Sequence, residues 1–166
     1  MHRLLALFAG FLAFAAPAFA MDMPARKAGL WELKMEFASH NLPPRVMKQC
    51  IDAATDKMMN ANFGGAAQEA CSKRDISKAG NTIVIDSVCK LGAALSTSHA
   101  VVSGRFDSDY TVDVTSTRAG TATHMKIAAK WLGPCAAGQR PGDVIMSNGM
   151  SMNMLDLQKR APTKRP

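Results

Sequence analysis

The 166-residue sequence contains no Cys-x-x-Cys pair, and that absence removes zinc-ribbon and thioredoxin-like readings together. It has no Gly-x-Ser-x-Gly, no glycine-rich phosphate loop and no lone cysteine with a histidine partner. The common nucleophile and nucleotide signatures are therefore missing, and no enzyme is expected. His40, His99 and His124 form no short-spaced ligand pair. Solvated or singly hydrogen-bonded imidazoles are expected, with an intervening strand between the last two, rather than a zinc hydrolase centre. Asp107-Ser108-Asp109 lacks the other ligands of a calcium loop and reads as a hairpin turn. No repeat of solenoid or propeller type is visible. Past residue 20, no stretch is long and apolar enough to span a bilayer.

What is present begins with Met1-His2-Arg3, an apolar run from Leu4 to Ala16, and Pro17-Ala18-Phe19-Ala20. A basic start, a short apolar stretch and an Ala-x-Ala end make a secretory signal over residues 1–20, cleaved near Ala20. No cysteine follows to carry a lipid. The expected organisation is one exported domain over 21–157 and a basic, disordered tail over 158–166. Formal charge falls from +7 to +6 with the loss of Arg3, and Lys159, Arg160, Lys164 and Arg165 crowd the tail. That distribution argues against a nucleic-acid face and suits weak contact of the tail with anionic envelope surfaces. A periplasmic or secreted monomer is the expectation.

From Gly29, Trp31, Leu33, Met35 and Phe37 alternate with Glu32, Lys34 and Glu36, the pattern of a half-buried strand. A second strand is expected over 46–51, then a short helix over 52–59 with an Asp or Thr cap. Five further strands follow, over 71–77, 82–90, 95–106, 110–118 and 121–132, separated by turn-forming residues. The fold class is mainly β: a small antiparallel curved sheet or open β-barrel with one or two short helices and two disulfides. Folding the first hairpin about Gly80 sets Cys71 opposite Cys89 and Arg74 opposite Asp86. A tight two-residue turn at Gly80-Asn81 would shift the register by one and require a bulge to restore the cysteine pair. The expected bridges are Cys71 with Cys89 and, by elimination, Cys50 with Cys135.

Twelve methionines are present, and Met146, Met150, Met152 and Met154 fall within nine residues. Thioether sulfur suits Cu(I), so these four are the candidate metal ligands. Packing is the competing account, since Met150 and Met154 lie one turn apart on an Asp143-capped helix expected over 144–157. Trp31 and Trp131, on the dry faces of the first and last strands of the main sheet, either anchor the core or line an apolar groove.

Ala28-Gly29-Leu30-Trp31-Glu32, a cysteine at Cys50 before a short acidic helix, a Cys-to-Cys hairpin and Trp131-Leu132-Gly133-Pro134-Cys135 before Pro141-Gly142-Asp143 occur in a definite order. Together they resemble the bacterial exported family catalogued as domain of unknown function 3617. The resemblance spans about Lys27 to Asp143 and implies an envelope location and a small β-rich domain. It brings no activity and no functional residues. The leading functional expectation is a non-enzymatic binding module, without a cofactor, for a small apolar ligand, peptide or envelope partner. A copper-binding protein is the alternative.

Overall fold

The computed structural model describes residues 23–38, 43–61 and 71–160. The expected secretory signal, His40 and the chain beyond Arg160 lie outside these residues. The strands are β1 (Gly29–Phe37), β2 (Arg45–Ile51), β3 (Cys71–Ala79), β4 (Thr82–Leu91), β5 (Ala94–Arg105), β6 (Asp109–Arg118), β7 (Thr121–Gly133), β8 (Asp143–Met146) and β9 (Ser151–Asn153). The helices are α1 (Ala53–Ala61), between β2 and β3, and α2 (Met154–Arg160), after β9. All strands join one open antiparallel sheet in the order β3-β4-β5-β6-β7-β1-β2-β8-β9. Hairpins generate the run from β3 to β7, while β1 is inserted between β7 and β2.

Alternation along the strands separates a dry face from a wet one. Trp31, Leu33, Ile83, Ile85, Ala100, Val102, Tyr110, Val112, Ile127 and Ala129 form one buried cluster with Ile51. Lysines, aspartates, threonines and both described histidines occupy the opposite face, where Asp86, His99, Thr115 and His124 stand in a row across β4 to β7. His99 bonds Asp86 at 2.8 Å and His124 bonds Asp113 at 2.6 Å. Thr115 separates the two imidazoles, as the meander requires.

Both disulfides form as paired in the sequence, Cys50–Cys135 across 85 residues and Cys71–Cys89 across 18. The hairpin reaches its cysteine pair by the tight turn. Ala79 faces Thr82 across Gly80-Asn81, and a bulge at Ser72 brings Cys71 opposite Cys89. The expected Arg74–Asp86 pair is therefore wrong by one residue: Arg74 faces Ser87, and Asp75 faces Asp86. The like charges are relieved by Lys73, 3.0 Å from Asp75, and by His99 on Asp86.

The helix expected over 144–157 is a second correction. Residues 143–146 and 151–153 pair as the β8–β9 hairpin, which hydrogen-bonds to β2. Only Met154–Arg160 is helical in this region, so residues 158–160, expected in the tail, belong to α2. Pairing to β2 is a long-range contact that overrides the helical spacing of the methionines.

Asp52 caps α1. Its carboxylate accepts from the Thr55 backbone N–H at 2.8 Å, and Thr55 Oγ1 accepts from the Asp52 N–H at 2.9 Å. The Thr55 backbone bond holds the Asp52 carboxyl below its ordinary value. Asp52→Ala is expected to cost about 1 kcal/mol at neutral pH. Because the folded pKa is depressed, the ionic part of the cap is present above the ordinary carboxyl value and is lost as pH falls through the folded one. Urea titrations at pH 7 and pH 3 should show the gap between wild type and variant narrowing in acid.

Candidate functional site

The N-terminal segment crosses the dry face before β1 begins. Its backbone is held by the Lys27 N–H donating to Phe106 O at 2.8 Å. The Trp31 indole N–H donates to Lys27 O at 2.8 Å, and the Trp131 indole N–H donates to Ala28 O at 3.1 Å. Trp31 and Trp131 stand directly opposite across β1 and β7. Gly29 sits beneath the second indole at φ +131°, where a Cβ would lie 2.6 Å from Trp131 Nε1 and against Gly133 O. Close approach of this kind explains why the Gly-Leu-Trp-Glu start and the Trp-x-Gly-x-Cys end occur together: they are the two sides of one contact.

Arg26 anchors the same segment in the interior. Its Nε lies 2.6 Å from Asp56 Oδ1 on α1, its backbone N–H donates to Asp56 Oδ2 at 2.8 Å, and one guanidinium nitrogen reaches Gln49 Oε1 at 3.1 Å. Both charged side chains are almost fully enclosed, at 4% and 1% exposure. The Tyr110 hydroxyl lies 3.5 Å from the guanidinium. Burial raises its pKa, against the opposing pull of Arg26. The ion pair thus ties the N-terminal segment and α1 to β2 and β6. Sequence reasoning missed it, because Arg26 and Asp56 are 30 residues apart and neither residue type advertises burial.

Where this segment passes the β3–β4 and β5–β6 turns, an open cleft of about 430 Å³ remains. Pro24, Ala25 and Phe106 contribute apolar surface, and Lys27, Lys78 and Arg105 stand around them with a single carboxylate, Asp107. Lys27 Nζ rests 3.7 Å from the Trp131 ring centre, a cation–π contact. Arg105 meets Asp109 only at 3.7 Å, both two-thirds exposed. Positive charge around an apolar floor can hold an anion whose remaining body is hydrophobic.

The two tryptophans, weighed as core anchors or groove walls, do not line this cleft. Trp31 is completely buried, packed 5.5 Å from Tyr110, and Trp131 is half-buried beneath Lys27. Trp31 therefore has no free surface for a ligand, and the nearest approach to a groove is formed instead by turn residues. Asp107-Ser108-Asp109 forms the β5–β6 turn, with Ser108 N–H donating to Arg105 O and Ser108 O accepting from Trp131 N–H. Met146 lies in β8, Met150 in the turn before β9 and Met152 in β9, whereas Met154 begins α2. Among the described residues, no three His, Cys, Asp or Glu side chains gather as a metal site, and no helix is long and apolar enough to cross a membrane.

A family model described as a protein of unknown function, DUF3617, matches residues 26–135. No curated protein and no solved structure matches the chain. The matched span runs from the buried Arg26 to the far cysteine of the long-range disulfide, and so takes in the whole contact between the two tryptophan strands.

Proposed function

The chain belongs to the DUF3617 family, and because that family is of unknown function we propose, from the cleft itself, an exported non-enzymatic binding module for a small anionic amphiphile. One observation carries this reading: Lys27, Lys78 and Arg105 surround the apolar surface of Pro24, Ala25 and Phe106 with only Asp107 to offset them. The volume of about 430 Å³ falls in the range of small-ligand sites, roughly 300 to 1,000 Å³. The walls supply charge and apolar contact but no paired acid and base, which favours holding a ligand over transforming it. Two disulfides and the expected secretory signal support an oxidising, extracytoplasmic setting. The protein acts there as a monomer.

Calorimetric titration with decanoate, decyl phosphate and a decyl trimethylammonium salt tests the proposal. The two anions are expected to bind at one site with micromolar affinity and the cation not to bind. Lys78→Glu combined with Arg105→Glu should weaken the anions at least tenfold, because both side chains are exposed and the changes reverse the charge without disturbing the core. Equal binding of the cationic and anionic amphiphiles, or unaltered affinity in the double variant, would overturn it.

A further inference from the structure

We propose that the methionines of the β2–β8–β9 edge form a thioether site for Cu(I), with Met47, a residue outside the methionine-rich segment, as one of its ligands. Met47 is the register partner of Met146 on the neighbouring strand. The Met146 N–H in turn donates to Met150 O at 2.8 Å as the β8–β9 hairpin closes. Met47 and Met146 are paired across β2 and β8, Met150 faces Met146 from the turn that leads into β9, and Met152 follows within β9, opposite Val144.

The spacing suits one ion. Opposed residues on neighbouring strands have Cβ atoms about 4.5 to 5.5 Å apart, and metal–sulfur bonds are about 2.3 Å long. An ion above Met146 is thus within reach of flexible thioethers on either side. Met154 begins α2 and lies outside the strands that carry the row, so it is not assigned to that ion.

Exposure separates Met150 from ordinary core filler. Met150 is 59% exposed, Met146 and Met152 are half-buried, and Met47 is half-buried at the margin of the core cluster. A methionine that serves only packing gains nothing from standing in solvent. Gln49, beside the row, donates an amide N–H toward Met47 Sδ at 3.6 Å, so that sulfur is turned to a polar neighbour. With no cluster of imidazoles, thiolates or carboxylates among the described residues, the donor set is soft, which selects Cu(I) over zinc, calcium or magnesium.

The test is an anaerobic titration of the disulfide-intact protein with Cu(I) against a colorimetric Cu(I) chelator, with X-ray absorption of the loaded sample. One equivalent is expected to be withdrawn from the chelator into an all-sulfur shell. Met47→Leu and Met146→Leu should each weaken binding at least tenfold, and the Met47→Leu, Met146→Leu, Met150→Leu triple variant should not compete. Leucine preserves volume, and circular dichroism verifies that each variant is folded. Met154→Leu should bind as wild type does. Failure of the wild type to compete, wild-type affinity in the triple variant, or an equal loss in Met154→Leu would overturn the assignment.

Discussion

Asp56→Ala is expected to destabilise the protein by about 3 to 5 kcal/mol, because it leaves the Arg26 guanidinium charged and unpaired in the interior. The pair is enclosed on both sides, and the same carboxylate also accepts the Arg26 backbone N–H and an Asn60 amide at 3.2 Å. A domain of ordinary stability, about 5 to 15 kcal/mol, would lose a large fraction of its margin. Replacing both charges, as Arg26→Met with Asp56→Leu, should recover much of the loss, since a well-packed apolar pair need not be worse than a buried ion pair. Recovery should stay incomplete because the Arg26 backbone N–H keeps no acceptor in the double variant. Equilibrium unfolding in guanidinium chloride measures all three proteins. A single variant as stable as wild type would mean that water reaches Arg26.

Removing the Cys50–Cys135 bridge by a Cys50→Ala, Cys135→Ala double substitution should cost roughly 4 to 5 kcal/mol by the loop-entropy relation. The loop spans 85 residues, against 18 for Cys71–Cys89, whose loss should cost only roughly 3 kcal/mol. The difference has a structural counterpart. Cys50 is wholly buried at the end of β2, and its carbonyl accepts the Gly142 N–H at 2.8 Å. The bridge and this bond together hold the segment that leads from β7 into β8. Cys71–Cys89 joins only an edge hairpin whose strands are already paired. Denaturant unfolding of the two double variants, each with its remaining bridge verified by mass spectrometry, gives the order. Equal losses would indicate that the denatured chain keeps Cys50 and Cys135 close without the bond.

The parts of this fold legible in the sequence are those fixed by local rules. Alternation located β1 and the meander from β3 to β7, and turn residues marked the hairpins. The disulfide pairing followed from one hairpin, although its register depended on a bulge at Ser72 that alternation cannot reveal. What was hidden rests on contacts distant in sequence. Met146 to Met154 carry helical spacing, yet β2 supplies hydrogen-bonding partners that favour a strand at their start. Met47 acquires neighbours in that row only through the same pairing. The cleft is assembled from the N-terminal segment and two separate turns, so no contiguous motif encodes it. Arg26 looked like any cation near a chain start, and only the folded chain sets Asp56 against it.

The insertion of β1 between β7 and β2 also bears on the order in which the chain can fold. Hairpins from β3 to β7 close over short stretches, so they can assemble early, whereas pairing Trp31 with Trp131 must bring together residues a hundred positions apart. A chain that emerges from its amino end must carry β1 with one edge open until Gly133 has followed. During that interval Trp31, later wholly enclosed, is accessible to other chains and to chaperones. Closure of the β1–β7 seam is therefore the long-range step of this topology, the one that covers Trp31.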